Sequence, residues 1–295
     1  LKKHCFDELK KAGGEIEVFF PPFAPYITPR INYRNHRKIC IIDGEEAFVG
    51  GFNIGDEYLG LSKKFGYWRD THIKIKGTAV GGLQWRFFKD WRFAAKKDNV
   101  RCEINLPQRK NKGSSGVQIV SSGPDSKWAS VKDGYFKMIN NAQERVYIQT
   151  PYFIPDDSMF EALKVAGLSG IDVKVMIPCK PDHIFVYWAG LSYIGELLEA
   201  GVKFYTYENG FLHSKTFIMD DFVTSIGTAN LDIRSFKLNF EVNAFIYDEE
   251  VNMKMVEQFN LDLKKCKEIT IEEYSKRSNI VKLKESISRL LSPIL

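Results

Sequence analysis

Two histidines in this chain, His36 and His213, stand at the head of the same spaced set of residues. From each His, a Lys follows at +2, an Asp at +7, a Gly at +14 and an Asn at +17. The first set is His36, Lys38, Asp43, Gly50 and Asn53; the second is His213, Lys215, Asp220, Gly227 and Asn230. One short pattern of this kind arises by chance often enough to mean little, whereas two copies matching at five positions are hard to obtain by accident. On a strand, residues two apart point to the same face, so each His and Lys project together into one pocket. A neutral imidazole near pH 7 can attack phosphorus or move a proton. The ammonium neutralises phosphate oxygens, and the Asn amide can donate to the same oxygens. Two such sets converging on one phosphate make a phosphodiester site with organic groups alone: one His attacks and becomes a phosphohistidine, and the other passes protons to the leaving and entering oxygens.

The catalytic set read this way is His36, Lys38, Asp43, His213, Lys215 and Asp220, with Asn53 and Asn230 binding phosphate. An offset of seven turns Asp43 and Asp220 away from their own His, so these two are expected to brace turns. An imidazole that takes and gives protons needs a partner on its second nitrogen. Asp70, 34 residues past His36, and Glu241, 28 past His213, are the candidate orienting carboxylates. His72 shares the face of Asp70 and reads as a satisfied structural His. His183 stands at the substrate mouth or caps the next helix, and His4 is expected on the surface. Trp68, Trp85 and Trp91 read as core.

The elements around these residues repeat as well. Phe6 to Phe19 and Ile194 to Tyr207 both read as a helix ending at Gly and then an alternating strand. Ile39 to Ile42 and Thr216 to Met219 are short apolar strands that turn at Asp43-Gly44 and Asp220-Asp221. The chain then returns over Ala47 to Val49 and Val223 to Ile226. The second half has more ahead of this unit: a strand over Arg145 to Gln149, a helix over Met159 to Ala166 and a strand over Val173 to Ile177. The first half shows no counterpart, so repeat arithmetic expects a block of about 70 residues to be missing from it. The chain, which begins at Leu1, reads as a fragment. The predicted fold is α/β, with two similar lobes related by a pseudo-twofold, each a mixed sheet flanked by helices. The first, incomplete lobe covers 1–112 and the second 117–295. The linker is expected at Gly113 to Gly116, after the Lys-rich Arg109 to Lys112. Val281 to Leu291 reads as an amphipathic helix packed on the second lobe, with membrane contact as the alternative.

The 295 residues suffice for real cores, and a net charge of +5 suits an anionic partner without choosing a membrane over a nucleic acid. The five cysteines include no C-x-x-C pair, which argues against a zinc site and a disulfide framework. No apolar run reaches the length of a membrane span.

The doubled H-x-K-x4-D with its following G-x-x-N resembles the phospholipase D superfamily. Longer strings narrow the likeness to bacterial cardiolipin synthases: Asn35 to Lys38 (NHRK), Gly50 to Asp56 (GGFNIGD), Tyr67 to Asp70 (YWRD), Thr150 to Asp156 (TPYFIPD), Gly210 to Lys215 (GFLHSK), Gly227 to Phe236 (GTANLDIRSF), Asn239 to Glu241 (NFE) and Ser292 to Leu295 (SPIL). The resemblance implies that two phosphatidylglycerols give cardiolipin and glycerol, with no metal and no nucleotide cofactor. His36 would be the nucleophile and His213 the acid and base; Lys38, Lys215, Asn53 and Asn230 would hold the phosphate, and Asp70 and Glu241 would orient the His residues. The partners implied are phosphatidylglycerol and an anionic membrane surface, not nucleic acid. The setting implied is the cytoplasmic face of a bacterial cell membrane, with membrane-spanning segments outside this chain. Gly51 stands where many superfamily members carry Ser, so one possible phosphate donor is lost in the first motif, while the second keeps Thr228. The first lobe is expected to show an unfilled sheet edge. A hydrolase acting on lipid or nucleic-acid phosphodiesters and an inactive lipid-binding fragment are the competing readings.

Overall fold

The computed structural model describes residues 5–19, 32–96 and 113–292. His4, Cys102, Arg109 to Lys112 and Pro293 to Leu295 lie outside the described residues. The first half contains α1 (Asp7–Lys11), β1 (Arg34–Asn35), β2 (Ile39–Ile42), β3 (Glu46–Gly50), a 3-10 turn (Asp56–Leu59), β4 (Trp68–Arg69), β5 (His72–Lys76) and α2 (Val80–Ala95). After Gly113 to Ser115 come β6 (Gly116–Ser122), α3 (Ser130–Asn141), β7 (Arg145–Gln149), β8 (Phe153–Ile154), α4 (Asp157–Leu168) and β9 (Asp172–Pro178). They are followed by α5 (Ile184–Ser192), α6 (Ile194–Glu199), β10 (Lys203–Tyr207), β11 (Phe211–Leu212), β12 (Thr216–Met219), β13 (Val223–Gly227), β14 (Leu231–Asp232) and α7 (Ile233–Lys237). The chain closes with β15 (Asn239–Tyr247), α8 (Glu249–Leu263), β16 (Cys266–Ile269), α9 (Ile271–Ser275) and α10 (Asn279–Leu290).

The second half builds a mixed sheet ordered β15-β13-β12-β7-β9-β10-β16, with β6 and, from the first half, β1 also paired to β15. The first half builds a smaller antiparallel sheet, β2-β3-β5. The two sheets share a core: Ala47, Val49 and Ile75 of the small sheet meet Ile226, Val242, Ala244 and Ile246 of the large one, with Val80 and Leu83 of α2. The other face of the large sheet is covered by α3, α4, α5 and α6, whose Tyr135, Leu163, Ala189 and Leu197 pack on Val146, Val175 and Phe217. Among the described residues, no helix is long and apolar enough to cross a membrane.

The two hairpins follow their turn residues. Asp43 and Gly44 both take positive φ, 53° and 72°, and Asp220 takes 45°, the left-handed geometry that Asp and Gly tolerate best. The equivalent strands differ in environment. β12 lies between β13 and β7 and is buried throughout, whereas β2 pairs only with β3 among the described strands and alternates between half-buried and exposed. The open edge expected of the first lobe corresponds, among the described strands alone, to this side of β2. The strand predicted before Phe19 does not form. Its counterpart β10 is hydrogen-bonded to β9 and β16, and no described strand flanks Glu15 to Val18 in the same way.

Two other expectations are corrected. Trp85 is exposed, because α2 turns Val80, Leu83 and Asp90 inward and places Trp85 on the opposite side. The predicted C-terminal helix forms as α10 and packs beside α5, but it does so through its polar side. Glu285 and Ser288 are buried, with Glu285 paired to Arg277 at 3.0 Å, while Ile280, Leu283, Ile287 and Leu290 face outward.

Candidate active site

Each His is delivered to the site by a short parallel pairing between the halves. β1 runs beside the start of β15, with Arg34 opposite Asn239 and Asn35 opposite Phe240. The next residues in that register are His36 and Glu241, and the His36 amide donates to the Phe240 carbonyl at 2.9 Å. β11 runs beside β4, with Phe211 opposite Trp68 and Leu212 opposite Arg69. The next pair is His213 and Asp70, and the His213 amide donates to the Arg69 carbonyl at 2.8 Å. His36 Nδ1 sits 2.9 Å from both oxygens of Glu241, and His213 Nδ1 sits 2.7 Å from Oδ2 of Asp70. Both candidate carboxylates therefore reach a His, and the pairing crosses the halves: Glu241 holds His36 and Asp70 holds His213.

Both carboxyls are held below their usual range. Burial opposes their ionisation, and the facing imidazoles and lysines outweigh it. The carboxylates are therefore acceptors and the Nδ1–H groups donors, which leaves the Nε2 lone pair of each His free. Burial, reinforced by Lys38 and Lys215, lowers His36. Burial and Lys215 lower His213 to about 3. Both imidazoles are thus neutral near pH 7. The His36 side chain keeps 25% of its surface exposed and that of His213 9%.

Lys38 donates to the carbonyl of His36 at 2.7 Å, and Lys215 to that of His213 at 2.6 Å. Burial lowers Lys38 to about 8 and Lys215 to about 7, with Glu241 and Asp70 pulling the other way. Each lysine feels both carboxylates, and Lys215 and His213 also feel Lys38, so the four motif side chains lie within electrostatic reach of one another. A cleft of about 620 Å³ opens on Lys38, Asn53, Tyr58 and His72. A larger one of about 720 Å³ lies near Asp220, Phe222 and α3, away from both His residues.

The two motif Asn residues differ. Asn53 is exposed and donates to the Tyr58 hydroxyl. Asn230 is buried; its Nδ2 lies 3.3 Å from Asp232 and its Oδ1 has no partner among the described residues. Asp43 and Asp220 do not join the site. Asp220 accepts from the amides of Gln143, Glu144 and Arg145 at 2.9–3.0 Å, bracing the turn as its offset predicts. Asp43 occupies the corresponding turn of the first hairpin.

The difference between Gly51 and Thr228 has a structural cause. Thr228 donates its hydroxyl to Glu241, so it steadies the carboxylate that holds His36. At Gly51, an added Cβ would lie 2.0 Å from Oδ1 of Asp70. The Asp70 carboxylate fills the space where a side chain would stand.

His72 lines the cleft, and its Nδ1 has no hydrogen-bond partner among the described residues. His183 takes the N-cap position of α5 without a side-chain cap bond. Trp68 is buried, with its ring 5.0 Å from that of His213, and so forms a wall of the site. Sequence reasoning missed the groups that hold the carboxylate strands. Arg69 donates to Asp262 at 2.7 Å, Gln149 to the same carboxylate at 2.9 Å, and Arg69 again to the carbonyl of Asp70. Arg37 bridges the Glu241 carbonyl, at 3.1 Å, and Asp90, at 2.7 Å. Their sequence signal was a charged residue beside each functional one, in R-D and H-R-K. Tyr152 and Asp232 were missed too; burial raises Tyr152, and Asp232 to about 6. Among the described residues, no group of three or more His, Cys, Asp or Glu is placed to hold a metal ion.

A family model described as the phospholipase-D-like domain of cardiolipin synthase matches residues 135–263. Over its whole length, the chain is 58% identical to the major cardiolipin synthase ClsA of Bacillus subtilis, and 55% identical to a cardiolipin synthase of Listeria welshimeri and to cardiolipin synthase 2 of Staphylococcus epidermidis. It spans 61% of the length of each of these relatives. The crystal structure of phosphatidylserine synthase from Haemophilus influenzae superimposes with a TM-score of 0.66 at 16% identity, covering 88% of this chain and 71% of that one, a likeness of fold.

Proposed function

We propose that the chain belongs with the cardiolipin synthases of the phospholipase-D-like family, which it resembles over residues 135–263 and at 55–58% identity along its length, and that it carries the site that moves a phosphatidyl group from one phosphatidylglycerol to another. The observation that carries this reading is the pair of neutral imidazoles, each with Nδ1 held by a carboxylate and Nε2 free, beside one half-buried and one buried lysine. His36, the more exposed, attacks phosphorus through Nε2. The P–O bond to the glycerol headgroup breaks as His213 supplies a proton to the departing oxygen. The hydroxyl of a second phosphatidylglycerol then gives its proton to His213 and attacks the same phosphorus. The P–N bond breaks, cardiolipin leaves and His36 is restored.

Lys38 and Lys215 neutralise the phosphate oxygens, Asn53 and Asn230 donate to them, and Glu241 and Asp70 stabilise positive charge on the imidazoles. Because the resting His213 is neutral, the proton it donates must be taken up as the anionic phosphodiester binds. An anion beside His213 favours the charged imidazole, so that uptake is in the required direction.

The test is mass spectrometry of lipids after mixing the chain with phosphatidylglycerol vesicles, with a His36→Ala/His213→Ala control. Cardiolipin with free glycerol, lost in the control, is expected. Phosphatidic acid alone would replace transfer by hydrolysis.

A further inference from the structure

Helix α10 is amphipathic in the inverted sense. Its buried side carries Glu285 and Ser288, while Ile280, Leu283, Ile287 and Leu290 stand 67%, 61%, 50% and 82% exposed. Spaced at i, i+3, i+7 and i+10, they form one stripe along the helix. A solvated helix normally turns such a stripe inward, so this one is left to meet something outside the chain. The charges beside it have one sign. Lys282, Lys284 and Arg289 are exposed, and the one acidic residue of the helix, Glu285, is buried against Arg277.

The stripe continues toward the site. α10 lies parallel to α5: Lys284 sits over the ring of Trp188 at 5.4 Å, and Arg289 reaches the Ser192 carbonyl at 3.3 Å. Carried back one turn, that register sets Ile280 level with Ile184, which is exposed together with Phe185 at the start of α5. α5 begins just after Asp182, which accepts from Tyr152 and acts electrostatically on Lys215. Exposed apolar residues thus stand on both parallel helices, and α5 begins beside the catalytic pocket.

We propose that the outward face of α10, continued by Ile184 and Phe185, is a docking surface for an anionic phospholipid bilayer, with the apolar stripe among the acyl chains and Lys282, Lys284 and Arg289 at the headgroups. This rests on the phosphatidyl-transfer reading only for why a bilayer would be nearby. The occupant follows from the charges. A second copy docked through the same helix would set cations against their own symmetry mates, whereas an anionic lipid surface neutralises them.

The experiment is flotation of the chain with vesicles of phosphatidylglycerol and phosphatidylcholine, against phosphatidylcholine alone. Binding to the anionic vesicles is expected. The combined Ile280→Ser, Leu283→Ser, Ile287→Ser and Leu290→Ser variant should lower the partition coefficient at least about tenfold. Leu290→Ser alone should lower it in the same direction, and both should keep the wild-type thermal unfolding, since the changed side chains already face water. Lys282→Glu/Lys284→Glu should lose mainly the salt-sensitive part.

Full binding by the fourfold variant would overturn the proposal. So would a wild-type chain that ignores anionic vesicles, or one that dimerises through the stripe while its vesicle binding survives the fourfold change. Turnover of dispersed short-chain phosphatidylglycerol reads the site without the surface. Its loss with vesicle binding intact would refute the proposed reaction and leave the docking surface standing.

Discussion

Replacing Glu241 by Gln removes one negative charge from beside His36 and changes little else. The amide oxygen can still accept from Nδ1, so the ring keeps its tautomer. What disappears is the attraction between the carboxylate and the positive charge that the imidazole gains on attacking phosphorus. The Nδ1 to oxygen separation is 2.9 Å, which sets the charge centres about 4 Å apart. At an effective dielectric of about 20, the attraction is worth about 4 kcal/mol. That is an upper bound of about three orders of magnitude in the rate of the first step.

The crossed pairing makes a second, sharper claim, because Asp70→Asn should act on the other His. The p-nitrophenyl ester of phosphatidic acid separates the two, since p-nitrophenolate leaves without needing a proton. In rapid-mixing experiments, Asp70→Asn should release one equivalent of p-nitrophenol at close to the wild-type rate and then stall for want of an effective base. Glu241→Gln should slow the burst itself, by up to about a thousandfold. A burst kept in Glu241→Gln and lost in Asp70→Asn would refute the assignment of carboxylates to imidazoles.

Gly51→Ser should displace Asp70 from His213, because the new Cβ would stand 2.0 Å from Oδ1; turnover should fall at least about tenfold with little change in melting temperature, since only a side-chain end must move. Affinity for a phosphate analogue such as tungstate should be full below pH 7 and decline as pH rises through about 7 and about 8, where Lys215 and Lys38 lose their protons; calorimetry across that range checks it, and a flat profile would count against the two lysines as the anion's partners. Binding of the same anion near pH 7 should take up protons, visible as a heat that depends on the buffer. Asp262→Asn leaves Arg69 buried with half a partner, so it should cost about 3–5 kcal/mol of stability in denaturant titration and lower activity through Asp70.

The sequence exposed the strands that carry the motifs because their alternation and turn residues agree. The predicted bounds of Ile39–Ile42 and Thr216–Met219 coincide with β2 and β12. It could not show which carboxylate serves which His. A molecule that carries the same motif in both halves looks the same from its sequence whether Asp70 turns to His36 or to His213, and only the parallel pairings of β1 with β15 and β4 with β11 decide it. The inward face of α10 was hidden for a related reason. Periodicity finds a stripe, but the choice of side was made by contacts from elsewhere in the chain, Arg277 with Glu285 and Trp188 with Lys284. Gly51 was legible as an absence of hydroxyl, and its steric cause depended on where Asp70 ends up.

The crossed arrangement makes each half incomplete by itself. A half that supplied both a His and its carboxylate would hold an oriented imidazole whether or not its partner were docked. Here His36 gains its acceptor only when β1 lies against β15, and His213 only when β11 lies against β4. The same two pairings bring Lys38 and Lys215 within reach of the opposite imidazole, where each adds a small part to the lowering that burial causes first. Orientation of both imidazoles by their carboxylates is therefore one event, the docking of the halves through the shared core of Val49, Ile75, Val242 and Ala244. A cavity cut into that core, as by Val242→Ala, should weaken both His–carboxylate contacts together, although it touches neither side chain.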